Sequence, residues 1–183
     1  ATATATEAHE HEEEEWGPSD GFQRTFFSFA ANLVTGVGFG LLLIAVSDFA
    51  GCITGWRPGL LWGLAGFTVF TLAPDLGLPP ELPAMPAAEL LPRQVWWICT
   101  VISAAVALAL IFLRRSPLLA AVGIALLIVP HLIGAPQPES FESPIPEGLH
   151  HQFVVAVTLT NLVFWTLLGA SIGALRPRVE AWA

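Results

Sequence analysis

The chain has 183 residues, of which 54% are hydrophobic and only 12% are charged, and its mean hydropathy is +0.66. A soluble domain is typically about one quarter charged, so this composition argues against an ordinary soluble globule. The net charge of −8 offers no basic face for phosphate groups, which excludes a typical nucleic-acid-binding protein. Two cysteines are too few for a disulfide-stapled secreted domain. The composition therefore predicts a polytopic membrane protein.

Residues 1–20 differ in composition from the rest of the chain. They begin with the low-complexity run ATATAT and continue with EAHEHEEEE, which has little apolar surface to bury. We therefore expect a flexible acidic arm over residues 1–20. Because the sequence begins with small residues and no Met, we also expect an upstream segment that is either removed or simply precedes it.

Residues 21–183 are predicted to form an all-α transmembrane bundle of about five spans. None of five apolar runs carries Lys, Arg, Asp or Glu in its interior, as a membrane-crossing helix requires. Three runs approach the roughly 20 residues that cross a bilayer core, whereas the second and fourth are shorter. For the second run, a buried core helix is the alternative. The predicted spans are about 27–47, 59–73, 95–113, 117–134 and 153–174.

Small residues and Trp residues in these runs predict how the helices pack. Gly59 and Gly63, like Gly169 and Gly173, are spaced four residues apart, which lets two helices approach closely. Adjacent Trp96 and Trp97 fit the aromatic belt at the outer membrane surface. These patterns predict a packed bundle without identifying a substrate.

The polar segments between the spans differ in charge. Five of the seven Arg residues lie on one predicted side, so the positive-inside rule makes that side cytoplasmic. Thirteen of the fifteen carboxylates and all five His residues fall on the other side, together with two proline-rich loops. We therefore expect the amino end outside and the carboxyl end in the cytoplasm. The predicted outer side comprises 1–26, 74–93 and 135–152, and the inner side comprises 48–58, 114–116 and the tail after 174.

Histidines and acids on the predicted outer side are the candidate metal ligands. His9 and His11 lie among glutamates, and imidazole with carboxylate can bind divalent Co, Ni, Zn or Cu. A solvated acidic tail with incidental histidines is the alternative for this pair.

A second group of candidates lies near the ends of the spans. His131 follows Pro130 at the outer end of the fourth run, and a near-membrane histidine is usually functional. We expect it to meet Asp75 and either His150 or His151 in a ligand cluster, with Glu81 as a further ligand. The alternative is that His131 bonds a carbonyl group of a proline-rich loop and fixes that loop in place.

Several stretches carry a resemblance to a known family. They are EWGPSDG (15–21), ANLVTGVGF (31–39), GLLWGLAGF (59–67), LAPDLGLPPELP (72–83), MPAAE (85–89), RQVWW (93–97) and PHLIGAP (130–136). In these the chain resembles the CbtA family of cobalt-transporter subunits. The resemblance implies an integral membrane protein that helps to import Co²⁺ for corrinoid synthesis beside CbtB, a small single-span, His-bearing subunit. It brings no ligand residues with it, but His131 lies inside a matching stretch.

The leading hypothesis is a non-enzymatic subunit that collects divalent cobalt on the outer side of the bacterial inner membrane and helps to pass it across. Cobalt would be cargo, and no bound cofactor is expected. No nucleotide-binding motif is present, so a partner is expected. One alternative is an accessory structural subunit of a larger photosynthetic or respiratory membrane complex. A third hypothesis, an intramembrane enzyme, would need a His–Asp pair facing a substrate cavity.

Overall fold

The computed structural model describes residues 17–51, 53–114 and 116–181, apart from the side chain of Glu180. Every regular element in these ranges is helical, which confirms the predicted all-α fold. Two π-helical segments, Thr68–Leu72 and Ala109–Leu113, continue α2 and α4 respectively. The α-helices are α1 (Phe22–Ala50), α2 (Trp56–Phe67), α3 (Ala73–Asp75), α4 (Leu90–Leu108), α5 (Pro117–Ile133) and α6 (Glu147–Glu180).

Three helical stretches are long and apolar enough to cross a membrane: Phe22–Ala50, Leu90–Leu113 and Glu147–Val179. They contain the first, third and fifth predicted spans. Pro117–Ile133 is apolar but shorter, and the second predicted span lies in the unbroken helical stretch from α2 to α3. Crossing by these two stretches stays a prediction. Residues 1–16 of the predicted acidic arm lie outside the described ranges.

The chain divides into two compact units, and the boundary between Val37 and Gly38 lies within α1. In the first unit, local contacts stabilise the start of α1. The Gln23 side-chain oxygen accepts hydrogen bonds from the Ser19 amide at 2.7 Å and the Ser19 hydroxyl at 2.6 Å. Arg24 pairs with Asp20 at 2.7 Å, and because both side chains are exposed this pair contributes little stability.

In the second unit, α2 and α6 pack with their backbones in contact. A Cβ atom on Gly59 would collide with the Gly169 carbonyl oxygen and lie 3.0 Å from the Cα of Gly173. A Cβ atom on Gly63 would collide with the Trp165 carbonyl oxygen. The later residue of α2, Gly63, contacts an earlier residue of α6 than Gly59 does, so the two helices are antiparallel. The two glycine pairs noted in the sequence are thus each other's partners.

An aromatic cluster extends this contact towards the middle of α6. Trp165 is 2% exposed, and its ring occupies the space that a side chain at Gly66 would need. Phe70 stacks on Trp165 with ring centroids 5.6 Å apart and planes at 8°. The ring centroid of Phe39 lies 4.7 Å from that of Trp165, so the second half of α1 packs against this cluster. Burial of these rings, together with neighbouring aliphatic side chains, stabilises the packing of the second half of α1 on α2 and α6.

A very short connection joins the π-helical continuation of α4 to α5, and α4 and α5 pack together as a helical hairpin. Pro130 lies inside α5 and has no N–H group to donate to the carbonyl oxygen of Leu126. The Ser103 hydroxyl of α4 donates to that oxygen at 2.7 Å instead. The hydrogen bond that proline removes from α5 is thus replaced across the helix interface.

We predict that Gly169→Ala destabilises the protein by about 1–3 kcal/mol, the usual cost of overpacking a well-packed site. An added Cβ atom would collide with the Gly59 carbonyl oxygen and approach the Gly63 Cα atom to 2.8 Å. The measurement is the midpoint of thermal unfolding in detergent. Gly38→Ala is the matched control, because no atom lies within 4 Å of its Cβ position, and it should be neutral or stabilising. Equal midpoints for Gly169→Ala and Gly38→Ala would contradict the backbone contact.

Candidate metal site

The candidate ligands of the second unit lie where several segments meet: the end of α3, the loop 76–89, the first turns of α4, the end of α5 and the start of α6. Trp96 of α4 is central to this region and is 8% exposed. Its indole N–H donates to the Pro130 carbonyl oxygen at 3.2 Å. Its ring packs edge to face against the His131 ring, with the two ring centroids 5.9 Å apart. A Cβ atom on Gly77 would lie 2.7 Å from the Cζ2 atom of Trp96. Trp96 therefore connects His131 with the segment that follows Asp75.

The proline-rich loop is attached at two adjacent residues to two different helices. The Nε2 atom of His150, in the first turn of α6, lies 3.1 Å from the Pro80 carbonyl oxygen. The next residue, Glu81, pairs with Arg93 of α4 at 2.8 Å, and both side chains are about three-quarters buried. The alternative role expected for His131 was to bond a carbonyl group of a proline-rich loop and so fix that loop in place. In the structure, it is His150 that makes such a contact.

The contact with Pro80 determines the state of the His150 ring. A carbonyl oxygen only accepts hydrogen bonds, so Nε2 must carry the hydrogen. In the neutral ring, the lone pair then lies on Nδ1. Metal-binding histidines usually donate their other N–H group to a carbonyl or carboxylate oxygen, which fixes the ring orientation. The contact with Pro80 therefore fixes the orientation of the His150 ring and leaves Nδ1 as the nitrogen that can accept.

Asp75 is the last residue of α3 and lies two residues beyond the predicted span that ends at Ala73. The fully buried Pro74 anchors this turn, and its carbonyl oxygen accepts from the amides of Gly77 and Leu78 at 3.0 and 2.9 Å. Within the described ranges, the buried Oδ2 atom of Asp75 has no hydrogen-bond partner. Burial raises the pKa of this carboxyl from 3.8 to about 6. A buried carboxylate oxygen without a partner favours binding of a proton or a cation.

The predicted ligands are neighbours by element, but the structure does not bring them into one complete set. In residues 17–51, 53–114 and 116–181, no group of three or more His, Cys, Asp or Glu side chains is placed to hold a metal ion. His151 is exposed beside half-buried His150, and Glu81 is paired with Arg93. His9 and His11 lie outside the described residues. The joint ligand set of Asp75, His131, His150, His151 and Glu81 stays a prediction.

Sequence reasoning missed two residues that organise this region. Trp96 was expected in the aromatic belt together with Trp97, but its indole is buried and bonded within the protein, whereas Trp97 is 37% exposed. Arg93 was counted only as a charge on the predicted outer side, yet it holds Glu81 in place. The sequence signal that could have indicated these contacts is a proline-rich loop followed by Arg and Trp at the start of a helix.

Comparison with known families gives one match. The model of the family described as "Probable cobalt transporter subunit (CbtA)" matches residues 1–176, which is nearly the whole chain. Neither the curated proteins nor the solved structures gave a match.

We predict that Asp75→Asn flattens the dependence of thermal stability on pH. The folded pKa of Asp75 is raised, so its contribution to stability is fully present below about 3.8 and is lost as the pH rises through about 6. The measurement is the midpoint of thermal unfolding in detergent, taken at several pH values between 3.8 and about 6. The exposed Glu139 supplies the control variant Glu139→Gln, which should keep the wild-type slope. A wild-type slope in Asp75→Asn would contradict the assigned burial of this carboxyl.

Proposed function

Since the chain belongs to the CbtA family of probable cobalt transporter subunits, we propose that it collects divalent cobalt on the outer side of a membrane and helps to pass it across. It is a membrane protein with three helical stretches able to span a bilayer. The observation that carries the finer proposal is the buried Asp75 oxygen without a partner, in the same region as His131 and His150. The proposed role is transport, and no reaction is assigned to the chain.

The proposed first ligands are Asp75, His131 and His150. Imidazole nitrogen and carboxylate oxygen together suit divalent first-row metals, including Co²⁺. His150 is the best supported of the histidines, because its contact with Pro80 leaves Nδ1 as the nitrogen with a lone pair. His131 is held near by its ring contact with Trp96.

His151 and Glu81 are proposed as secondary ligands. His151 is adjacent to His150 and its side chain is exposed, so a cation can reach it from solvent. Glu81 is paired with Arg93 through Oε2, and its other carboxylate oxygen, Oε1, could bind a cation while that pair is kept. His9 and His11 of the acidic arm would concentrate ions near the protein rather than bind them tightly, because a net negative surface raises the local cation concentration.

We infer the bacterial inner membrane as the location, with the amino end outside and the carboxyl end in the cytoplasm. The charge distribution supports this orientation, since five of seven Arg residues are on the predicted inner side. The two Arg residues on the predicted outer side, Arg24 and Arg93, each pair with a carboxylate. Each of these two positive charges is thus balanced locally, and the other acids of that side determine its net charge.

We infer that the chain acts with a partner, because it carries no nucleotide-binding motif that would couple transport to an energy source. The family description as a subunit supports a partner, and a CbtB-like single-span protein is the proposed one. Large exposed side chains on α1, such as Phe22 at 85% and Phe29 at 67%, are compatible with lipid or with another helix. Recovery with a photosynthetic or respiratory complex and without metal would instead favour the accessory structural role.

The test of the site is binding and uptake of Co²⁺ by the full chain. We expect Asp75→Ala with His131→Ala to weaken Co²⁺ binding in calorimetry by at least about tenfold, since even outer-shell changes cost about 10- to 100-fold in metal affinity. Uptake of labelled Co²⁺ into cells should fall in parallel. His150→Gln should also weaken binding, because glutamine has no imidazole nitrogen to bind the metal. The glutamine side-chain amide can still donate to Pro80, so the loop contact is kept.

The exposed Glu139 again provides the matched control, and Glu139→Gln should bind and take up Co²⁺ like the wild type. Unchanged binding and uptake in the Asp75→Ala, His131→Ala double variant would overturn the proposed site. The same result in His150→Gln would remove His150 from the ligand set. An unfolding midpoint close to that of the wild type shows that a loss of binding is not a loss of fold.

A further inference from the structure

A second polar region lies where α1 ends, α2 begins and α6 approaches its last turns. The Arg176 side chain of α6 pairs with Asp48 at 2.6 Å and also contacts the Ser47 hydroxyl at 3.4 Å. One turn earlier in α6, a Cβ atom on Gly173 would lie 3.0 Å from the Trp56 Cα atom. These contacts place the first turn of α2 beside the Arg176 turn of α6 within the second unit.

The arginines of this region differ in their partners. Arg176 is directed inward, with a side chain only 17% exposed, and Asp48 neutralises it. Arg57 is exposed and makes no ion pair within the described ranges; its guanidinium lies 5.3 Å from the centre of the Trp56 ring. The segments on this predicted side hold five Arg residues but only two carboxylates, Asp48 and Glu180. Positive charge at Arg57 is therefore available for an anion from outside the chain.

The surroundings of Arg57 fit an amphiphilic anion. Trp56 is 56% exposed, and a Trp side chain with an apolar body and an N–H group is enriched at the membrane–water interface. Leu61 is 67% exposed and lies four residues after Arg57, so both side chains are on one face of α2. An acyl chain can run along Leu61 while the headgroup reaches Arg57. The planar guanidinium donates two parallel hydrogen bonds to phosphate oxygens.

We propose that Trp56 and Arg57 form a binding site for the phosphate-containing headgroup of an anionic phospholipid, with its acyl chains along Leu61. The site is separate from the proposed cobalt ligands; it rests on the proposed membrane orientation but not on cobalt transport. Free phosphate shares the headgroup chemistry, but it gains nothing from the exposed apolar face beside Arg57.

The experiment is native mass spectrometry of the full chain, reconstituted with phosphatidylglycerol and phosphatidylcholine in equal amounts and then washed in detergent. We expect the wild type to retain phosphatidylglycerol preferentially. Arg57→Gln should lower the retained phosphatidylglycerol about tenfold, the loss expected when a charge-assisted hydrogen bond to the phosphate is removed. Arg57→Lys should bind more than Arg57→Gln, because it keeps the charge and loses only the planar fork.

Two control variants test whether the site is local. Arg24→Gln removes an arginine on the other predicted side, and Arg114→Gln removes one on the same side; both should retain lipid like the wild type. An equal loss in Arg114→Gln and Arg57→Gln would overturn a local site in favour of diffuse attraction. Unchanged retention in Arg57→Gln would overturn the proposal outright. Displacement of the lipid by millimolar inorganic phosphate would show a phosphate site and would overturn the assignment to lipid.

Discussion

The close contact between the backbones of α2 and α6 is the constraint on which the rest of the second unit depends. Gly59, Gly63, Gly169 and Gly173 permit it, because a side chain at any of them would meet a backbone carbonyl oxygen across the contact; for Gly173 this is the carbonyl of Gly55, just before α2. An antiparallel contact of this kind sets the register along both helices. It therefore brings the segment after α3 beside the start of α6, where Pro80 meets His150, and the start of α2 beside the Arg176 turn. One interface thus positions both the proposed cobalt site and the proposed lipid site.

Proline residues supply the acceptors that organise the proposed cobalt site. Proline has no N–H group, but its carbonyl oxygen is a full acceptor. The carbonyl oxygens of Pro74, Pro80 and Pro130 accept from loop amides, from His150 and from Trp96 respectively. Irregular backbone close to a membrane needs such internal partners. The proline-rich segments are therefore ordered by specific polar contacts with the surrounding helices.

The sequence predicted the class of fold because that class depends on local properties: long apolar runs, few interior charges and glycines four residues apart. It did not predict the contacts of the site, because these join residues far apart in the chain. His150 and Pro80 are 70 residues apart, and Trp96 and Pro130 are 34 apart. Trp96 and Trp97 are adjacent in sequence but differ in burial, since they lie about 100° apart around α4. The packing of α4 on α5 and on the segment that follows α3 decides which of the two is buried.

Two of the proposed ligands, His150 and Glu81, already hold the proline-rich loop in place, and each could bind a cation without giving up that contact. His150 can bind through Nδ1 while its Nε2–H still donates to Pro80, so this ligand is compatible with the attached loop. Glu81 bonds Arg93 through Oε2. A carboxylate has about four lone-pair positions on its two oxygens, so Oε1 can bind a cation while the ion pair is kept. In the proposed site, Arg93 would then orient the Glu81 carboxylate as Pro80 orients the His150 ring, and the loop would stay attached to both helices while the ion binds.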